Sequence, residues 1–305
     1  MTDFISLSSG FAEASVRVAT PLALAALGEA LAERSGVINL GIEGSMLSGA
    51  LAAALAGGAW GPEWGLLTGA LAGMALAAVF AAVAIGARAN QIIAGTAVSL
   101  LGAGLTGAVY RRIFGSAGAA LSIPTLPPLS IPGLDRIPVV GQALFGQALP
   151  TYLVYLSAAV IWYILARTRW GLGLSAAGES PEAARAHGIP VRRVRTIAVV
   201  SGGALAGLGG ATLVLAQVGT FAEQMTAGRG FIAIAIVVLG GWRPWRVALA
   251  ALLFGAAAAL QFLFQALGTA VPYQFFLMMP YLLALGALAG RVGRVRAPAA
   301  LGVDL

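Results

Sequence analysis

The stretch ERSGVINLGIEG, residues 33–44, sets Glu33, Arg34, Asn39 and Glu43 among Gly36, Gly41 and Gly44 at the junction of two apolar segments. Ionisable groups at membrane depth are costly, so they mark functional sites by default. The glycines allow an unwound backbone whose amides and carbonyls can face a cavity. A plain turn, with Glu33 or Glu43 paired to Arg34, reads equally well from the residues. A second polar stretch, GESPEAARAHGIPVRRVR at 178–195, interrupts a chain otherwise made of Ala, Leu, Gly and Val. Ser180 suits a helix N-cap, Pro181 the first helical position, and Glu182 the positive helix start. Ala183, Ala184 and Arg185 continue the helix, and His187 stands where an imidazole meets the negative C-terminal dipole. Gly188 fits the C′ position and Pro190 blocks continuation, which predicts a capped helix of about seven residues. Too polar to insert, it reads as a docking element for a cytoplasmic partner. A third patch, GTFAEQMTAGRGF at 219–231, carries Glu223, and Asn90 and Gln91 head another apolar segment. Asn39, Glu43, Asn90, Gln91 and Glu223 are the candidate substrate-pathway residues, able to offer donors and acceptors to hydroxyls or base edges.

The remaining chemistry is mostly exclusion. The chain has no cysteine and one histidine, so disulfides, thiolate catalysis and multi-histidine metal sites are ruled out. No Ser–His–Asp arrangement can form around a single loop-borne histidine. All 18 basic residues are arginine. A phosphate-binding loop of the GxxxxGK[ST] type needs a lysine, so ATP driving this protein must be hydrolysed by another polypeptide. No catalytic residue, metal or cofactor is expected. From the third apolar segment onward no segment holds an acid, which argues against a proton-coupled secondary transporter. Sodium coupling through backbone carbonyls survives that test.

Positioning these residues falls to elements that must cross a bilayer. Hydrophobic residues make up 59% of the 305 and charged residues 10%, against about 25% charged in a soluble domain. Apolar helix-compatible stretches fall near 14–32, 38–58, 64–87, 90–110, 150–166, 194–216, 231–242, 246–267 and 273–290. The expected fold is all-α, a polytopic bundle of about 8–10 transmembrane helices. FIAIAIVVLGG is too short to span, so a broken or re-entrant helix is expected there unless it extends upstream past Arg229. The proline-rich stretch 113–149 reads as a loop. Small residues one turn apart, such as Gly203 with Gly207 and Gly69 with Gly73, predict close helix packing. The formal charge of +7 reflects arginines in cytoplasmic loops rather than nucleic-acid binding. Arginines around 167–195 and after the last span place both regions, and the C-terminus, in the cytoplasm, with 113–149 external. Arg17, Arg111 and Arg112 pull against Arg34 and Arg88, so the N-terminal side stays open. No cleavable signal peptide is apparent in MTDFISLSSG. LAGGAWGPEWGLLTGALAG (55–73) and LGGWRPWRVALAALLFG (239–255) share a Gly-Gly ahead of a Trp–Pro corner, which suggests two related halves.

These motifs resemble the permease subunits of ABC importers in the branched-chain amino acid and ribose permease superfamily, with the closer likeness to the nucleoside and simple-sugar branch. Its members carry a stretch like GE-x3-ERSGV-x-NLG-x-EG, matched by Gly28-Glu29 and Glu33 through Gly44, including Arg34, Gly36 and Gly41. They also carry G-x-NP-x-AA-x3-GI, matched by Gly178 to Ile189 with Ser180 in place of the usual Asn. Ser45 stands in place of a usual Met, and GRGF at 228–231 and Pro280-Tyr281 also fit. The likeness implies one permease domain over 1–305 in the bacterial inner membrane, and a related fold is built as two inverted repeats. It implies a coupling helix at 179–190, Glu179 included, seated in a groove of an ATP-binding cassette ATPase. It also implies a second permease subunit, identical or homologous, and an external substrate-binding lipoprotein. Nucleosides are the implied cargo. Branched-chain amino acids, ribose, and an ATPase-independent transporter or channel stand as alternatives.

Overall fold

The computed structural model describes residues 2–115, 122–135, 137, 140–266, 273–291 and 296–303. These residues form twelve α-helices: α1 (Thr2–Arg34), α2 (Ile42–Trp60), α3 (Pro62–Ala81), α4 (Gln91–Phe114), α5 (Val140–Phe145), α6 (Leu149–Arg167), α7 (Arg169–Glu179), α8 (Pro181–Ala186), α9 (Val191–Thr212), α10 (Arg229–Gly240), α11 (Pro244–Ala266) and α12 (Tyr273–Arg291). Six helices among the described residues are long and apolar enough to cross a membrane, and two shorter apolar helices accompany them. The protein is a polytopic helical bundle, as its composition demands.

The bundle is built around two long helices that run in opposite senses. Arg195, near the start of α9, lies against Ser35 at the end of α1. Gln217, beyond the end of α9, lies against Arg17 in the first half of α1. Between these points the helices cross at Gly28 and Gly202, where a Cβ on either glycine would meet the carbonyl of the other. With no hydrophobic driving force in lipid, such bare backbone contact is what holds neighbouring helices together. Each long helix then packs the third helix of the other half, α1 along α11 and α9 along α3. The glycine stack continues on that second interface, where Gly73 of α3 faces Gly203 and Gly207 of α9.

Elements α1–α4 and α9–α12 therefore repeat one plan with inverted direction, and the Trp–Pro corners fall at matching places. Both corners turn through a left-handed glycine, Gly61 at φ +104° and Gly241 at φ +63°. Proline follows at the first position of α3 and α11, where its missing N–H costs nothing. The corners differ in burial: Trp60 is exposed while Trp242 is buried.

Two irregularities are mutually compensated. Pro21 inside α1 cannot donate to Arg17, and the freed Arg17 carbonyl accepts from Gln217 Nε2 at 2.6 Å. Gln217 reaches it from a π-helical turn, Leu213–Val218, that extends α9. The loosened carbonyls of that extension accept from the loop: Leu126 N–H donates to Leu215 at 2.8 Å and Ile123 N–H to Gly219 at 2.9 Å. The described part of 113–149 thus closes one end of the bundle, and it contains the short helix α5 that the sequence did not announce.

The other end is rich in arginine. Arg34, Arg243 and Arg246 line one hollow there, and Arg88, Arg185, Arg192 and Arg193 line another of about 540 Å³. Arg34 and Arg88, which had left the N-terminal sidedness open, lie at the same end as the 178–195 stretch. Arg111 stands away from them, paired to Glu223 at 2.7 Å.

Candidate functional site

The α1–α2 junction is where the buried polar groups converge. α1 ends at Arg34, and Gly36 turns the chain at φ +92°. Buried Glu29, one turn before Glu33, accepts from the Asn39 amide at 2.9 Å. Asn39 Oδ1 in turn accepts from the Gly41 amide at 3.0 Å, which closes the turn that launches α2. Gln91, at the head of α4, accepts from the Ile38 amide at 2.9 Å. Gly44 lets α2 pass directly over the Val98–Ser99 backbone of α4.

Glu43 lies in the first turn of α2, and its carboxylate anchors a second chain reversal. Oε1 accepts from Thr226 Oγ1 at 2.6 Å and from the Gly228 amide at 2.8 Å, and Oε2 accepts from the Gly230 amide at 2.6 Å. The Gly228 and Gly230 amides belong to the entry of α10, so Glu43 supplies the anionic cap that a helix N-terminus favours. Met46, one turn beyond Glu43, meets Gly210 of α9, so this cap sits inside the bundle rather than at its rim. From there α10 runs 12 residues, about 18 Å, and stops at Gly241. It is a half-length helix beginning within the protein, as the short apolar run implied, and it does not extend upstream of Arg229. The loop feeding it is wound tightly, with Gln224, Ala227 and Gly228 all at positive φ.

At the far end of α10, Trp242 Nε1 donates to Glu33 Oε2 at 2.5 Å. Arg34 donates to Ser175 Oγ at 3.1 Å. The alternative reading, a plain turn with Glu33 or Glu43 paired to Arg34, therefore gives way: both acids take uncharged donors, a hydroxyl and helix-start amides for Glu43 and an indole for Glu33. Arg195 is the largest fully buried side chain, and it donates Nε to Ser35 O at 2.9 Å and Nη2 to Ala177 O at 3.1 Å. It pins the junction to α7. Arg195→Ala strands both carbonyls and is expected to cost about 2–4 kcal/mol, lowering the melting temperature in detergent. Arg195→Lys recovers only part, since an ammonium lacks the planar fork that serves two acceptors. Unchanged melting of both variants would dismiss this pin.

The candidate pathway residues are only partly gathered. Asn39, Glu43 and Gln91 gather, buried, around the α1–α2 junction. Asn90 is exposed and caps α4, accepting from the Ile92 and Ile93 amides at 3.1 and 3.2 Å. Glu223 is at the surface, bound to Arg111. The residues that the sequence did not single out for this site are Glu29, Thr226, Trp242 and Arg195. Each had left a signal outside this site: Glu29 in the GE ahead of ERSGV, Trp242 in the Trp–Pro corner, and Thr226 and Arg195 within the polar stretches 219–231 and 178–195.

The second site is α8, six residues long against about seven expected. Thr168 starts the unforeseen amphipathic helix α7 by accepting from the Gly171 amide, and α7 delivers the chain to Ser180. Ser180 occupies the N-cap position, but its side chain makes no capping bond, which corrects that part of the expectation. Its φ of −150° and ψ of 88° place the serine between two helices rather than in an ordinary cap. The C-terminal signals act as read: Gly188 turns at φ +78°, its amide donates to Arg185 O at 2.9 Å, and the Ile189 amide donates to Ala184 O at 3.0 Å. His187 Nδ1 lies 2.9 Å from Ala183 O. Ala184 is 3% exposed and keys α8 onto the core, while Glu182, Ala183, Arg185 and His187 face outward. The helix is thus a capped, outward-facing knob at the arginine-rich end.

Residues 11–288 match the profile of the branched-chain amino acid transport system / permease component family. The chain is 43% identical to the putative glucose ABC transporter permease protein TsgC13 of Haloferax volcanii, over 88% of this chain and 81% of that one. It is 37% identical to the guanosine ABC transporter permease protein NupQ of Bacillus subtilis, over 99% and 98%. With the nucleoside ABC transporter permease protein NupC of Lactococcus lactis it shares 34% over 93% of each. A bundle of apolar helices with a half-length helix inside it, a protruding helical knob and near-full-length likeness to these permeases lead to one conclusion: the chain belongs to the branched-chain amino acid transport system / permease component family and is a membrane transport subunit.

Proposed function

We propose that this protein is the translocating permease subunit of an ATP-driven importer that carries nucleosides or related sugars into a bacterial cell across the inner membrane. The observation that carries the reading is α8. It is held at its base by Ala184, capped at its C-terminus and exposed along Glu182, Arg185 and His187. A helix of that length has little intrinsic stability, so its fixed shape comes from the protein and suits insertion into a partner. The partner is an ATP-binding cassette ATPase, since a lysine-free chain cannot form the phosphate loop itself. The arginine-rich end, with the C-terminus, then faces the cytoplasm. The end closed by the 122–135 segment receives substrate from an external binding lipoprotein, and a second permease subunit completes the pore. The names of the similar permeases support nucleoside or sugar cargo.

The translocation route follows the wall made by the α1–α2 junction and the 219–228 loop, with Asn39, Glu43 and Gln91 inside it and Asn90 and Glu223 near its mouths. Each holds a protein partner in this conformation, so the route opens when those bonds exchange.

The test is affinity purification in mild detergent from the native host, with wild type beside a variant whose residues 180–188 are a Gly/Ser linker. An ATPase recovered with the wild type and lost with the linker is the expected result. Labelled-nucleoside uptake that survives the linker would overturn the reading in favour of an ATPase-independent transporter.

A further inference from the structure

Segment 296–303, beyond α12, does not trail away from the arginine-rich end but folds back onto it. The Ala300 amide donates to Gly178 O at 2.8 Å, immediately before α8, and the Gly302 amide donates to Gly36 O at 3.2 Å. Gln91 Nε2 donates to Val303 O at 3.1 Å while Gln91 Oε1 holds the Ile38 amide. The Ala299 amide reaches Glu179 Oε2 at 3.4 Å. Pro298 and Ala300 are buried, and Ala297 and Leu301 pack on the hydrophobic core. Gly302 turns at φ +74°, a conformation that residues with a Cβ rarely adopt, and the terminal methyl of Ile38 lies against it.

One short stretch thereby adds a backbone tie among three elements that Arg195 and Gln91 also join: the foot of α8, the α1–α2 junction and the head of α4. Hydrogen bonds from backbone amides fix its register without depending on which side chains it carries. A force applied to α8 passes through Gly178 and Ala300 to Gly302 and Gly36, and through Val303 to Gln91. Those endpoints adjoin Asn39 and Glu43, the wall assigned to the route.

We propose that segment 297–303 is a positioning clasp that makes the foot of α8 and the α1–α2 junction move as one body, so that ATPase closure is converted into movement of the route. The proposal rests on the α8 reading above, and its two measurements separate the two ideas. The first needs no ATPase. Hydrogen–deuterium exchange of the purified full-length permease is compared with that of a 297–303 deletion and of Gly302→Val, which disturbs the turn while keeping the segment. Faster exchange in 33–38 and 178–186, with α3 and α9 unchanged, is expected in both; exchange as in wild type at both places would overturn the clasp. The second uses the complete transporter in lipid vesicles and reads ATP hydrolysed per nucleoside delivered. Gly302→Val is expected to raise that ratio about tenfold, the scale of a typical coupling between sites. A variant that is merely less folded lowers hydrolysis and uptake together and leaves the ratio unchanged. An unchanged ratio overturns the proposal. A wild-type permease that recruits no ATPase removes the α8 reading, while the exchange result still decides whether the clasp holds.

Discussion

Glu43→Ala will destabilise the protein and abolish transport together. The substitution leaves the Gly228 and Gly230 amides, at the buried start of α10, without an acceptor, and it frees the Thr226 hydroxyl. An unsatisfied buried donor costs about 1–3 kcal/mol, so the two amides alone place the loss on the order of 2–6 kcal/mol. Water cannot substitute easily, because the cap lies inside the bundle beside Met46 and Gly210. Glu43→Gln should fall between the two. Its carbonyl oxygen can keep Thr226 and Gly228, but its NH₂ then opposes the Gly230 N–H. Melting in detergent and labelled-substrate uptake, measured on the same preparations, separate two roles for this residue. If Glu43 serves the cap, Glu43→Gln loses stability and uptake in parallel. If it serves only the cargo, Glu43→Gln loses uptake with an unchanged melting temperature, and the capping account fails.

The second large effect is expected at the crossing of α1 and α9. A Cβ at Gly28 or Gly202 would land on the opposing backbone carbonyl, which no side-chain rotation can relieve. Alanine at either position must push α1 and α9 apart, at about 1–3 kcal/mol each. Leucine at either should leave no folded protein. The double alanine variant carries the sharper information. Once one methyl has separated the helices, the second finds the space already made, so the pair should cost clearly less than the sum of the singles. Strict additivity would mean that the helices yield locally and that the crossing is not a rigid contact. The measurement is monodispersity and melting temperature by size-exclusion chromatography of detergent extracts. Because these glycines touch neither α8 nor the proposed route, whatever folded single variant is recovered should still bind the ATPase.

The matching plan of α1–α4 and α9–α12 explains why the polar residues gather where they do. In each half a long helix is followed by an irregular stretch and then a helix that starts within the bundle: residues 35–41 before α2, and 219–228 before α10. The two starts meet at Glu43, so the acid of one half caps the helix of the other. Discontinuous helices leave backbone groups unpaired at membrane depth, where they must be satisfied internally. Glu43, Asn39, Glu29 and Gln91 answer that demand here.

Much of this architecture is legible in the residues alone. Charge-free stretches near the length of a bilayer crossing dictate a helical membrane bundle, since no other open arrangement satisfies its backbone in lipid. The brevity of FIAIAIVVLGG announces a helix that cannot cross, Pro181, Gly188 and Pro190 bound α8, and the paired Trp–Pro corners disclose the repeat. The absence of lysine excludes a GxxxxGK[ST] phosphate loop whatever the fold. These signals work because hydropathy, proline, glycine and residue type act within a few positions along the chain. What only the tertiary structure decided is which partner each polar group takes. Glu43 and Gly230 are 187 residues apart, and Arg195 and Ser35 are 160 apart. The alternatives for Glu43, an arginine next to its own loop or a helix start in the other half, look alike in sequence, since both satisfy a carboxylate. Choosing between them takes the crossing of α1 and α9, which sets how far each loop can reach. The docking of 296–303 is of the same kind: its bonds come from backbone amides that every sequence possesses, so nothing in those residues names Gly178 and Gly36 as their acceptors until the helices have packed.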